Sequence, residues 1–205
     1  MGSAARPSEG FQTPDILLAS RSPRRRELLT QIGISFDLSK VVVPETPRSG
    51  ENPRDYVSRV AMDKAVAGWQ LDGRLREIPV LGADTAVVLG DRIMGKPRDR
   101  EQVLDMLGSL SGQTHQVTSA VAIIYGEQRL CRVVTTDVTF REISTKEIIN
   151  YWNTHEPIDK AGGYAIQGYG AAFVSNLVGS YSNVVGLPLF ETSQLLAELN
   201  ISVLG

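Results

Sequence analysis

Apolar positions recur along this chain with two periods, and each period predicts an element. Ile16, Leu17 and Leu18 form a short apolar run that reads as a buried strand. Directly after it, Ser22 and Pro23 stand at the N-cap and first position of a helix. Leu28, Leu29 and Ile32 give that helix an apolar side, and Gly33 stops it. Phe36 to Val43 alternates as a strand ending at Pro44. Asn52 and Pro53 open a second helix, whose stripe is Tyr56, Val57, Val60, Ala61, Ala65 and Val66. The segment "IPVLGADTAVVLG" reads as two apolar runs interrupted by Gly82-Ala83-Asp84-Thr85. A helix from about Asp99 to Leu110 follows. Next come two β-rich runs, "HQVTSAVAIIY" and "RLCRVVTTDVTF", joined as a hairpin by Gly126-Glu127-Gln128. Ser144 and Glu147 make a capping box for a helix that closes before Pro157. After a glycine-rich stretch of short strands, "PLFETSQLLAELN" predicts a last helix. Strands mixed with helices, and a long hairpin among them, predict an α/β fold with a mixed sheet. We expect one domain over residues 14–205, after a flexible lead-in of residues 1–13 with no apolar signal core.

Composition narrows the function classes. The chain has 205 residues, 42% hydrophobic and 21% charged, as in an ordinary soluble protein with ample material for a core. Its net charge of −2 gives no overall positive field for a polyanion. Nucleic acid is therefore not an expected partner, and any anion site must be local. The one cysteine, Cys131, permits no internal disulfide and suits a reducing compartment. No apolar run approaches the roughly 18 residues of a membrane helix. A cytoplasmic protein without a membrane partner is expected.

Against that neutral background, four segments carry candidate chemistry. Arg24, Arg25 and Arg26 crowd the first turn of the first helix, at the positive end of its dipole. Each cation there is disfavoured by roughly 0.3–1 kcal/mol unless an anion sits opposite. A tight strand–turn–helix context with free backbone N–H groups and guanidinium forks suits a phosphate. Asp84, wedged between apolar runs, is expected partly buried at a strand end or bulge, where a carboxylate needs a cation or metal. It could act as a general base or in metal-assisted chemistry. "GDRIMGKPRD" approaches a P-loop and fails it, because Pro97 stands where the magnesium-binding hydroxyl would be; Lys96 and Arg98 remain as separate cations. "DKAGGYAIQGYGAAFV" is glycine-dense, allowing close backbone approach, and its Gln167 could read a base edge. His115 and His155 lack metal-ligand spacing and read as structural or surface residues, while Cys131 reads as core. No Gly-x-Ser-x-Gly elbow is present.

Taken in order, "LLASRSPRRRELL", "ETPR", "LGADTAVVLGDRIMGKPRD", "LSGQTHQV", "DKAGGYAIQG" and "GSYSNVVGLPL" resemble the Maf family of nucleoside triphosphate pyrophosphatases, from about Ile16 to Leu199. The resemblance implies a bent, mixed sheet flanked by helices, with two lobes around a central cleft. It further implies hydrolysis between the α and β phosphates to a monophosphate and pyrophosphate, with a divalent cation, magnesium or manganese. By the same resemblance Asp84 is the proton acceptor, Ser20, Arg25, Lys64 and Lys96 cradle phosphate, and Glu45 and Asp84 form the metal neighbourhood. Arg24 would join Arg25 at the triphosphate, and Arg26 would face solvent. Three positions separate subfamilies: Arg24, Thr85 and Gln167 match the branch acting on dTTP and UTP, whereas the 7-methyl-GTP branch carries Trp, Gln and Glu there. An aromatic ring and an acid suit a cationic purine, while Arg and Gln offer hydrogen bonds to neutral pyrimidine carbonyls. Modified pyrimidine nucleotides fit the same reading. Two alternatives are the 7-methyl-GTP activity and a non-catalytic nucleotide-binding regulator of cell division. A regulator would have little use for Asp84 beside Glu45, Lys64 and Lys96. The resemblance also makes a homodimer the assembly to test for.

Overall fold

The strands of the computed structural model, which describes residues 13–203, are β1 (Ile16–Ala19), β2 (Phe36–Leu38), β3 (Val80–Leu89), β4 (Arg92–Met94), β5 (Thr114–Tyr125), β6 (Gln128–Phe140) and β7 (Val174–Val178). Apart from Thr13, the expected lead-in lies outside the described residues. The strands form one mixed sheet in the order β2-β1-β3-β5-β6-β7, with β4 added to β3. β1 pairs in parallel with β2 and β3, and every other pairing is antiparallel. The helices are α1 (Pro23–Gln31), α2 (Pro53–Gly68), a π-helical turn (Trp69–Gly73) running into the single turn α3 (Arg74–Arg76), then α4 (Arg100–Leu110), α5 (Thr145–Trp152), α6 (Tyr181–Val185) and α7 (Leu189–Ala197). None of them is long and apolar enough to cross a membrane.

Alternation along β3 and β5 assigns the layers. On one face Ala86 and Val88 of β3, with Ala120, Ala122 and Ile124 of β5, lie under the apolar stripe of α2. On the other face two separate cores form. Leu81, Ala83, Val121 and Ile123 pack with α1 and α7, and Val87 and Val117 pack with α4 and α5. Between the two cores stand Thr85 and Ser119, paired across the strands, whose hydroxyls meet at 2.8 Å. A polar step in an otherwise apolar face separates the two cores.

Three expectations are corrected. The Gly82-Ala83-Asp84-Thr85 segment does not interrupt a strand: β3 is continuous, and β5 pairs with it from Val80 to Val88. Asp84 thus lies mid-strand rather than at a strand end or bulge. The strand expected over Phe36 to Val43 stops at Leu38, because its partner β1 is only four residues long. Cys131, expected in the core, is half-buried on β6 at the margin of the core under α2, beside Ser58. His115 is buried and His155 is exposed, as structural or surface residues.

Candidate active site

The other edge of β3 explains where a site can form. β1 pairs with it over Val80–Gly82 and β4 over Val87–Leu89. Between those pairings, Ala83 to Ala86 has neither strand beside it. Ser20 and the start of α1 lead away from one side of this gap, Gly95 and Lys96 from the other. Asp84 and Thr85 occupy the gap, and strand alternation sends their side chains to opposite faces of the sheet. A cavity of about 800 Å³ opens here. Its lining includes Ser20, Arg24, Arg25, Glu45, Lys64, Asp84, Thr85, Lys96 and Gln167, but not Arg98, the other cation named beside Lys96. Arg26, expected to face solvent, is half-buried and outside that lining.

On the α2 face, charges alternate. Lys64 donates to Asp84 Oδ1 at 2.9 Å and to the Ala83 carbonyl at 3.4 Å, and its Nζ lies 2.6 Å from Glu45 Oε1. Lys96 stands 3.8 Å from the other Glu45 oxygen. Burial pushes the Glu45 carboxyl upward, but the Lys64 hydrogen bond and charge, with Lys96 and Arg25 behind, outweigh it and hold it below the usual range. Tyr56 donates to the Glu45 backbone carbonyl at 2.9 Å, and burial together with the Asp84 and Glu45 charges keeps its phenol protonated. Lys64 reaches Asp84 because α2 lies almost on β3. A Cβ at Gly82 would fall 2.2 Å from the Ala61 carbonyl oxygen and 2.7 Å from the Ala65 nitrogen. The glycine two residues before Asp84 is thus a requirement of close approach.

On the opposite face the first-turn arginines are built into the wall. Arg25, only 7% exposed, donates from Nε to the Gly186 carbonyl at 2.8 Å, and from its two terminal nitrogens to Ser20 Oγ and Thr85 Oγ1, both at 3.1 Å. Three of its five N–H groups are engaged, which leaves two. Arg24 is half-buried and donates to the Val185 carbonyl at 3.3 Å. Burial lowers the pKa of both guanidiniums; for Arg25 the Asp84 charge opposes this and Arg24 adds to it. Ser22 takes the N-cap position without a capping side-chain bond, and no acid lies in the first turn of α1. The helix end is therefore short of negative charge on the side where the cavity opens.

The remaining wall comes from the segment after α5, which adds Asp159, Lys160 and Gln167 to the lining. Lys160 escaped the sequence reading although it stands in the quoted glycine-dense motif, because a lone lysine beside Asp159 looks like a solvated surface pair. Burial, then the Arg24 charge, lowers its pKa. Among the described residues no group of three or more His, Cys, Asp or Glu is arranged to hold a metal ion. Of the carboxylates lining the cavity, Glu45 and Asp84 meet at one ammonium, that of Lys64.

The family profile described as Maf-like protein matches residues 15–199. A dTTP/UTP pyrophosphatase of Saccharophagus degradans is 52% identical over 204 residues, covering 99% of this chain and 97% of that one. The dTTP/UTP pyrophosphatase of Nitrosomonas europaea is 54% identical over 198 residues, 92% of this chain and 96% of the other. Among solved structures, a nucleoside-triphosphatase / dITP/XTP pyrophosphatase from Mycobacterium abscessus has a TM-score of 0.43 at 16% identity, covering 90% of this chain and 96% of that chain.

Proposed function

The chain belongs to the Maf family, and from that premise we propose that it hydrolyses dTTP and UTP, and related modified pyrimidine nucleotides, to the monophosphate and pyrophosphate. The observation that carries the reading is a buried carboxylate, Asp84, at the open edge of β3 within a cavity whose lining also brings Arg24, Arg25, Lys64, Lys96 and Lys160 together. A site that only held phosphate would gain from the cations and lose from the carboxylate. A site that cleaves phosphate needs both.

In this reading the triphosphate lies between the α1 N-terminus and Lys96, with the two remaining Arg25 N–H groups and Arg24 directed at it. Asp84 Oδ1 is held by Lys64, and Oδ2 takes no protein hydrogen bond among the described residues. That oxygen orients a water and accepts its proton. The water oxygen bonds to the α phosphorus, the bond from that phosphorus to the α–β bridging oxygen breaks, and pyrophosphate leaves with the electron pair. Lys96, Arg24 and Arg25 neutralise the charge on the leaving group. Two carboxylates completed by substrate phosphate oxygens form the donor set that magnesium or manganese takes without an all-protein cage, so Glu45 and Asp84 would hold a divalent cation. When bound, it supplies charge neutralisation on the phosphates. At the nucleoside end, the Gln167 amide offers a donor and an acceptor to a pyrimidine edge. The Thr85 hydroxyl, bonded to Arg25 and Ser119, acts on substrate choice through Arg25.

An Asp84→Asn variant tests this directly. Lys64 keeps Glu45 as a partner, so the fold survives and nucleotide affinity stays near wild type. Turnover falls by about 10²–10⁴. Unchanged turnover would remove Asp84 from the chemistry, whereas nucleotide binding with no turnover in the wild type would favour a regulator that binds without cleaving.

A further inference from the structure

Gln167 is exposed, and its side chain makes no hydrogen bond within the protein among the described residues. Its pose is therefore set by the backbone on either side. That backbone hangs from Glu156. One Glu156 oxygen, Oε1, accepts from the Tyr151 hydroxyl at 2.7 Å and the Gly170 N–H at 3.0 Å, and Oε2 accepts from the Tyr169 N–H at 2.8 Å. The Tyr151 hydroxyl in turn accepts from the Ala165 N–H at 3.1 Å. Both flanks of Gln167 are thus fastened to one carboxylate–phenol pair, Tyr151 near the end of α5 and Glu156 in the turn that follows it. The phenol is itself fixed: Tyr151 is buried and its ring meets Phe173 edge-on at 5.0 Å. Two glycines leave room for the pair. A Cβ at Gly168 would lie 2.1 Å from Glu156 Oε2, and one at Gly170 would lie 2.8 Å from the Tyr151 hydroxyl oxygen. Glu156 makes no ion pair among the described residues, and the three side-chain hydrogen bonds it accepts come from Tyr151, Tyr169 and Gly170.

We propose that Glu156 and Tyr151 are positioning residues for nucleobase recognition, holding the Ala165–Gly170 backbone so that Gln167 faces the base across the cavity. The inference rests on the pyrimidine reading of Gln167. Removing an acceptor from these backbone N–H groups, part-buried at Ala165 and Gly170 and exposed at Tyr169, carries a cost that corresponds to about tenfold in affinity. In Glu156→Gln, an amide NH₂ replaces one acceptor and faces those donors. In Tyr151→Phe, the Ala165 N–H loses its partner while the ring packing remains.

The test measures kcat and KM for UTP and 7-methyl-GTP, together with inhibition by inorganic tripolyphosphate, which has no base. For Glu156→Gln we expect the UTP KM to rise about tenfold, kcat to change by less than about twofold, and the preference for UTP to fall in proportion. Tripolyphosphate inhibition should be unchanged. Gln167→Ala should give the same loss, with no further loss in the double variant. Tyr151→Phe carries the same expectation if Glu156→Gln does not fold. Wild-type preference in both variants would overturn the proposal, as would a joint fall in UTP and tripolyphosphate affinity. If the wild-type protein prefers another base, the pyrimidine reading fails, and the positioning role then stands or falls on whether Glu156→Gln alters that other preference.

Discussion

At the scale of single residues, the cavity wall was legible where a side chain was out of place for a soluble protein. Three arginines in a first helical turn, and an aspartate inside an apolar run, both break local preference, and two of the arginines, Arg24 and Arg25, line the cavity with the aspartate. Lys160 breaks no rule and gave no signal. Nor could spacing show that Arg25 is held by Thr85, sixty residues away, or by the Gly186 carbonyl. His115 illustrates a residue read as inert that still has a measurable consequence. It is buried, its Nε2 meets the Tyr164 hydroxyl at 2.8 Å, its Nδ1 has no partner, and burial lowers its pKa from 6.5 to about 4. The unfolded chain binds this proton below about pH 6.5, whereas the folded protein resists it until about pH 4. Stability therefore falls as pH drops through that window, by about 2 kcal/mol at pH 5. Urea unfolding at pH 7 and pH 5 should show this loss in the wild type and a smaller one in His115→Gln. Equal losses would assign the acid sensitivity to other groups.

At the scale of elements, helix starts, the capping box and the β5–β6 hairpin followed from pattern, because caps and turns are local chemistry. The strand through Asp84 did not. Its polar and small residues look like a turn, yet they exist because the neighbouring strands part there and α2 comes close. Gly82 is the position that tests this. In Gly82→Ala the new methyl group meets the α2 backbone, which cannot swing aside as a flexible side chain would. We expect a loss of about 1–3 kcal/mol, seen as a Tm lower by about 2–4 °C for each kcal/mol. Turnover should fall as well, since Lys64 moves with the helix. A variant with wild-type Tm and activity would mean that the close contact is not what seats Lys64.

At the scale of the whole molecule, a mixed sheet with two lobes was readable from element order and the family resemblance, whereas the cause of the cleft was not. It takes the register of β3 against β5 to bring Thr85 beside Ser119 and part the two cores. Although the molecule is nearly neutral, six of its 21 Lys and Arg residues line this one cavity. Inorganic tripolyphosphate should therefore stabilise the fold, by about 2.7 kcal/mol at a hundredfold excess over its Kd, and added salt should weaken that effect. A thermal scan with no shift at low ionic strength would deny the cavity its anion. The most direct measurement is product identification from wild-type protein, magnesium or manganese, and UTP or dTTP. The geometry predicts the nucleoside monophosphate and pyrophosphate in equal amounts, faster than from 7-methyl-GTP. Release of the diphosphate with inorganic phosphate, or no turnover of any nucleotide, would contradict it.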